Sequence, residues 1–473
     1  MDRLNESSLP GINVSILRQV ENGIIVRAAV LDYLFKEADK LDKRILLKGG
    51  TVVDPSQELH TRADLIIEGE RIVDLAPSIV FGDGEAEVID VTGKIIAPGM
   101  VDIHVHLREP GEEEKETIAT GTAAAVAGGV TTLCCMPNTD PAIDNKLVVA
   151  YIKEQARQAN LAHVYPIGAL TRGRGGREMS DYASLLSAGV KAFSDDGSYV
   201  NDSMIMMNIM KYLSQFEVVA ISHCEDAGLA AGGVAHDGYY ANLLGLGGMP
   251  HVAETAAVGR DILIAEATGG KLHIAHVSCA ASVELIRWAK EREIQVTAEV
   301  APHHLLLTEE ALEGYNVMAK MNPPLRSKED REALLQGLQD GVIDIIASDH
   351  APHRREDKER PFADAAFGVS SLDYGLSLLF TELVHTGMIS MDKLVDCYSC
   401  SPAKILGLPA GTLKKGAVAD IVVFDPELEG KVDPTGFYSR GRNTPFDGYR
   451  TRGGPVMTFV KGELKMKEGK VSR

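Results

Sequence analysis

The stretch APGMVDIHVHLREPG, residues 97–111, runs an apolar segment into two histidines one residue apart, His104 and His106, and follows them with Arg108 and Glu109. Alternate residues of a β-strand project to the same side, so both imidazoles can face one point at the end of a buried strand. Taken alone, the spacing is common and fits a packed or surface pair as well as a metal site. The rest of the chain has to decide.

Outward from that segment, apolar runs recur at GVTTLCCMPN, AHVYPIGAL, GVKAFSDD, FEVVAISHCED, KLHIAHVS, IQVTAEVAPHH and IDIIASDHAPH, which makes eight strand candidates in all. Helical patterns fill the gaps, among them EKETIATGTAAAVAG, NKLVVAYIKEQARQ, VAETAAVGRDILIAEA and KEDREALLQGLQD. In ASVELIRWAKE the helical period puts Val283, Ile286 and Ala289 on one side and Glu284, Arg287 and Lys290 largely on the other. Strand and helix alternating eight times predicts an α/β fold, a closed (β/α)8 barrel of the TIM type, over residues 96–410. Two further helices, around 371–386 and 391–406, would close its base or side. Residues 44–95 read as short strands between polar turns, and the same texture returns over 411–473. Neither piece has enough apolar strand surface to stand alone, so the two are expected to complete one small β domain from both ends of the chain. Residues 1–43 form an N-terminal extension to which the sequence assigns no role.

With 67 acidic against 48 basic residues the formal charge is −19, which argues against non-specific nucleic-acid binding. An anionic small molecule would have to be met by local cations. The six cysteines form no dense disulfide framework, and the CYSC pair at 397–400 has no second pair to complete a thiolate site, so packing is its expected role. No secretory signal and no run of about twenty apolar residues is present, so a cytoplasmic protein without membrane contact is expected.

In such a barrel the carboxyl ends of the strands meet at one mouth. Strand one ends in His104 and His106, strand four in Asp195 and Asp196, strand five in His223, strand six in His276 and strand eight in Asp349. Nitrogen and carboxylate donors together suit zinc better than magnesium. Two ions fit the inventory: His104 and His106, completed by Asp349, for one; His223 and His276 for the other; and a carboxylate of the AFSDDG turn between them. Spacing does not choose between Asp195 and Asp196. His163 and His273 read as structural, His350 as pointing away from Asp349 by strand alternation, and His303 and His304 as residues near the mouth without a ligand role. Arg108 offers a fork for a carboxylate, Asn138 and Asn322 offer amides, His353 lies in a loop within reach, and Gly368 permits close approach to a planar ring.

These phrases, with AGGVTTLCCMPNTDP, VTAEVAPHHLLLTEE and KMNPPLRS, resemble the long bacterial type of the dihydroorotase family within the amidohydrolase superfamily, from about residue 45 to the end. The resemblance implies reversible cyclisation of N-carbamoyl-L-aspartate to L-dihydroorotate and water, the third step of pyrimidine biosynthesis, and it makes the small domain a β-sandwich. It implies zinc, two ions per subunit: His104 and His106 on the first, His223 and His276 on the second, Asp196 between them, and Asp349 as both ligand and catalytic proton shuttle. Substrate contacts would come from His106, Arg108, Asn138, Asn322 and His353, and from the main chain of Phe367 and Gly368. Relatives that bridge their metals with a carboxylated lysine leave Lys191 as an alternative to the aspartate.

Two rivals are a hydantoinase or allantoinase, in which a neutral ring gives Arg108 nothing to hold, and a non-catalytic barrel supporting aspartate transcarbamoylase, which typically lacks metal ligands. A homodimer and a working complex with aspartate transcarbamoylase are the protein partners carried forward as expectations.

Overall fold

The computed structural model describes residues 44–82 and 84–472. The N-terminal extension, 1–43, lies outside the described residues.

Strand Met100–Val105 is buried at every position. It pairs in parallel with Val130–Cys135, and that strand with His163–Pro166. The third strand breaks at Ile167 and resumes as Gly168–Ala169. Parallel pairing then runs through Ala192–Ser194, Val219–Ser222, Lys271–Ile274, Val296–Val300 and Ile345–Ile346. A parallel bridge between Val105 and His350, with His106 N–H donating to His350 O at 2.8 Å, brings the eighth strand back to the first and closes the ring. The barrel is filled by side chains such as Val101, Ile103, Met136, Ile221 and Ile345, with Leu406 and Leu408 packed against them. Those two follow the helix Ser401–Ile405, so the expected 391–406 segment does plug the barrel.

A second apolar layer lies between strands and helices. Helix Ile118–Ala127 starts in a capping box, where Thr117 accepts from Thr120 N–H, and Asn145 caps Lys146–Ala159 by accepting from Leu147 and Val148 N–H. Both pieces of the 371–386 and 391–406 predictions are helical, each carrying a π turn, at Phe380–Val384 and Asp396–Cys400.

Among the described residues, segments 44–98 and 421–471 build one nine-stranded sheet. Ile421–Lys431 pairs antiparallel with Ile95–Pro98 and with Arg450–Val460, while Arg44–Asp54 joins Ile95–Pro98 to Leu59–Glu68 and Arg71–Ala76. Leu47, Val52, Leu65, Ile96, Val423 and Phe459 form its core, separate from that of the barrel. His163 at the foot of the third barrel strand pairs with Asp420 of this sheet at 3.0 Å, in keeping with a structural role. Among the described residues, no helix is long and apolar enough to cross a membrane.

Candidate metal centre

Strict strand alternation would not put His104 and His106 where they are. Val101 and Ile103 point into the barrel, so His104 should point out with Asp102. The register between the first two strands slips: Asp102 pairs with Leu133 but Val105 with Cys135, three residues against two. This bulge resets the phase, so that both histidines stand at the mouth above Ile103 while Val105 packs outward with the helices. Asp102, left on the outer side and fully buried, accepts from the N–H groups of His104 and Ser348 and from Tyr398 Oη. Burial pushes its carboxyl up to about 6.

Around this pair the strand ends converge. Asp196 Oδ1 lies 3.3 Å from His104 Nε2, 3.5 Å from His223 Nδ1 and 3.5 Å from His276 Nε2, while its Oδ2 lies 3.5 Å from His106 Nε2. Asp349 Oδ1 is 3.3 Å from His106 Nε2 and 3.6 Å from His104 Nε2. Residues up to 245 positions apart thus form two overlapping groups, His104–His106–Asp349 and His104–Asp196–His276, in which the donor atoms lie within 4.8 Å of one another. His223 joins the second through its Nδ1, 2.8 Å from His276 Nε2.

The neighbouring Asp195 does something else. Its carboxylate accepts from the N–H of Thr171 at 3.0 Å and from the Thr171 hydroxyl, so it holds the third strand's end to the fourth. Lys191 opens the fourth strand with its ammonium 5.9 Å from the Tyr165 ring, at the opposite end of the strand from Asp196.

Two observations make the cluster a fit for divalent cations. First, His104 Nε2 and Asp196 Oδ1 are buried without a hydrogen-bond partner, a costly state for atoms so polar unless an ion satisfies them. Second, the opposite ring nitrogens are already committed: His104 Nδ1 meets Glu299 Oε1 at 2.5 Å, and His106 Nδ1 meets Asn138 Oδ1 at 2.8 Å. Those bonds orient the lone pairs of Nε2 toward the carboxylates, as the hydrogen-bond partners behind metal-binding histidines do. The donor set suits zinc. The two clusters are consistent with a binuclear zinc centre.

The electrostatics agree. Burial alone would raise the carboxyl of Asp196, but the rings of His104, His223 and His276 outweigh it and hold the group well below the usual carboxylate range. Asp349 is likewise pulled down against burial by His106 and His104. Burial disfavours the imidazolium of His104, yet Asp196 and Glu299 raise its proton affinity well above the ordinary histidine value. His223, against the same burial, is carried up to about 10 by Asp196 and Glu225.

Arg108 is buried beside this cluster with its backbone at φ 61°. Its Nε donates to Pro352 O at 3.3 Å, and its Nη2 lies 3.3 Å from His353 Nε2. His276 at φ 30° and Asp349 at φ 46° share that left-handed backbone, so three residues of the mouth are held in conformations that non-glycine residues rarely adopt, as is common at functional sites. Asn138 Oδ1 is engaged by His106 Nδ1 at 2.8 Å. Asn322 Nδ2 lies 3.4 Å from His223 Nε2, and its Oδ1 has no protein partner. His353 Nε2 meets Phe367 O at 2.6 Å, which brings the 365–370 segment to the same mouth.

Glu299 and Arg174 were not singled out from sequence, and the histidines His303, His304 and His350 can now be placed. Glu299 bridges His104 and His273, the latter at 3.1 Å through its other oxygen; an acidic residue inside the buried strand VTAEV was the available signal. His303 is buried with both ring nitrogens unsatisfied, 4.0 Å from Asp349 Oδ2, so it faces the cluster more closely than expected. His304 turns to Pro323 O at 3.0 Å, and His350 faces Glu116 at 3.3 Å instead of the cluster. Arg174 donates to Asp196 O at 2.8 Å from a glycine-rich loop that gave no sign of it.

A family model described as Dihydro-orotase-like matches residues 93–282. The dihydroorotase of Pelotomaculum thermopropionicum is 48% identical over 90% of this chain and 99% of its own length. That of Syntrophus aciditrophicus is 46% identical over 90% of this chain and all of its own. Among solved structures, an L-hydantoinase (dihydropyrimidinase) from Arthrobacter aurescens superimposes with a TM-score of 0.82 at 27% identity, covering 91% of this chain and 97% of that one. A dihydropyrimidinase from Brevibacillus agri gives 0.80 at 26%, covering 90% and 96%.

Proposed function

Since the chain belongs to the dihydroorotase family of metal-dependent amidohydrolases, we propose that its barrel mouth interconverts N-carbamoyl-L-aspartate and L-dihydroorotate through the residues assembled there. The observation that carries this reading is Asp196 standing within 3.5 Å of four histidine nitrogens, with a buried arginine alongside. His104, His106 and Asp349 would hold one zinc, His223 and His276 the other, and Asp196 would serve both.

When bound, the two ions polarise the ring carbonyl and lower the proton affinity of a water, so that attack proceeds near neutral pH. In ring opening, water adds to the carbonyl carbon between N3 and the methylene carbon. Asp349 takes the proton from that water and passes it to N3 as the carbon–nitrogen bond breaks, acting as base and then acid. In closure the ureido nitrogen attacks the side-chain carboxylate and the proton runs the other way, with loss of water. Arg108 and the Nδ2 of Asn138 hold the second carboxylate, which fixes the ring's direction of approach. His106, Asn322 and His353 complete the substrate contacts, and the Phe367–Gly368 turn stands against the ring without lending it main-chain hydrogen bonds: the Gly368 N–H and carbonyl and the Phe367 carbonyl, expected to meet the ring, are already paired inside the protein.

The remaining assignments belong to the same proposal. Residues 96–410 form the catalytic barrel, residues 44–95 with 411–473 the small β-sandwich domain, and 1–43 an extension without an assigned role. The protein works in the cytoplasm, as a homodimer or together with aspartate transcarbamoylase.

Solved hydantoinases share the fold, so the substrate must be tested and not inferred from shape. Purified protein supplied in turn with dihydroorotate, hydantoin and allantoin is expected to turn over dihydroorotate alone at a physiological rate. Arg108→Lys should weaken dihydroorotate capture by about tenfold or more while leaving metal content intact, because a point charge does not reproduce a paired carboxylate contact. Preference for hydantoin, or unchanged kinetics in the variant, would reject the carboxylate clamp.

A further inference from the structure

The connection between strands Ile421–Lys431 and Arg450–Val460 belongs to the small sheet, yet its middle lies at the barrel mouth. Ser439 Oγ donates to Glu116 Oε2, whose carboxylate also meets His350 Nε2 at 3.3 Å, and Arg440 N–H donates to Glu116 Oε1 at 3.2 Å. A Cβ on Gly441 would stand 2.2 Å from Ser370 Oγ and 2.6 Å from Pro352 Cβ, so the backbone passes there in direct contact with two mouth loops. Two residues on, Asn443 is buried and every hydrogen-bonding atom of its side chain is used. Oδ1 accepts from His353 N–H at 2.9 Å and Ser370 Oγ at 2.8 Å. Nδ2 donates to Ala351 O and to Gly368 O, both at 3.0 Å. The Asn443 carbonyl accepts from Ser370 N–H at 2.8 Å.

A second side chain meets the same peptide. Lys358 is fully buried, and its ammonium donates to Ala366 O at 2.8 Å and Gly368 O at 3.2 Å. The Gly368 N–H in turn donates to Lys320 O at 3.0 Å. Gly368 has φ 129°, and a Cβ there would lie 2.7 Å from Ala351 Cβ, so the segment has no slack toward the strand-eight loop. Both lone pairs of the Gly368 carbonyl and its N–H are therefore taken up inside the protein. What this peptide presents to a ring is its orientation and the Phe367 side of the turn, not the Gly368 polar groups themselves.

We infer that Asn443 and Lys358 are positioning residues that fix His353 and the Phe367–Gly368 peptide in one arrangement, so that a segment of the small β domain sets the fit of the substrate ring in the barrel. The inference rests on the substrate reading given above. Neither residue is placed to touch metal or reacting atoms. Losing either should loosen the ring's seat without slowing bond breaking in molecules that do bind.

The test compares wild type with Asn443→Asp, which keeps the acceptor and reverses the donor toward two carbonyls, and with Lys358→Met, which keeps the apolar stem. Hydrogen exchange of peptides covering 351–353 and 365–370 is read on each protein with its metals bound, alongside kcat, KM and metal content. The expected result is faster exchange in those peptides, a KM for dihydroorotate raised about tenfold or more, kcat within about threefold of wild type, and unchanged metal content. Unaltered exchange with unaltered KM in a folded variant would overturn the inference, as would a loss confined to kcat. Lys358→Met carries the test should Asn443→Asp fail to fold. A wild-type protein that does not turn over dihydroorotate would sink the substrate reading instead, and the exchange rates alone would then decide whether the two side chains pin the segment.

Discussion

At the scale of single residues, the site turns on what stands behind each metal-facing group. Glu299 accepts from His104 and His273 and thereby fixes which nitrogen His104 presents. Glu299→Gln replaces one acceptor by a donor, so zinc affinity measured by chelator competition should fall about 10- to 100-fold; an unchanged affinity would remove Glu299 from the account. Proton affinities give a second expectation. His104 lies well above its usual value and His223 at about 10, so without metal both rings hold protons at pH 7. Zinc needs those lone pairs, so its uptake at pH 7 should release protons and tighten as pH rises, the contribution of His223 fading as pH approaches 10. Calorimetry in buffers of different ionisation enthalpy reads this directly, and uptake without proton release would contradict it. The residues that converge at the two clusters were legible because five strand ends carried donors. The choice of Asp196 over Asp195 was not, since adjacent residues are separated only by where Thr171 stands.

At the scale of elements, strand order and most helices followed from periodicity, the first strand included, but the phase of its side chains did not. Its histidines reach the mouth through a bulge, and an extra residue in one strand leaves no mark in apolar patterning. The eighth strand is only two residues long, Ile345–Ile346, although its sequence reads as longer, because the chain turns at Asp349 to bring that carboxylate back over the barrel. The turn after strand one is wedged against the turn after strand two. Asp140 N–H donates to Pro110 O at 3.0 Å, and Gly111, at φ 101°, leaves 2.1 Å between an added Cβ and Asp140 O. Gly111→Ala should lower stability by more than about 1 kcal/mol in denaturant titration and raise KM, since Arg108 and Asn138 sit on those two turns. A variant of wild-type stability would show that the turns are not coupled as described.

At the scale of the whole molecule, segments 44–98 and 421–471 meet in one sheet, and the sequence revealed this because neither segment carries a strand set able to bury itself. It did not reveal that the link between two of those strands returns to the mouth, since SRGRNTPFDG reads as an ordinary polar loop until Asn443 is found buried among main-chain groups. The net charge of −19 would repel an anionic substrate at long range, so the proposed capture would rest on a local field, that of Arg108 and of metal bound at the two clusters. The most direct measurement is a zinc titration of metal-depleted protein with dihydroorotate as substrate. Activity should be absent without metal and rise to a plateau as zinc approaches two ions per subunit, one for each ligand cluster. Full activity in protein from which zinc and other transition metals have been removed would contradict the account.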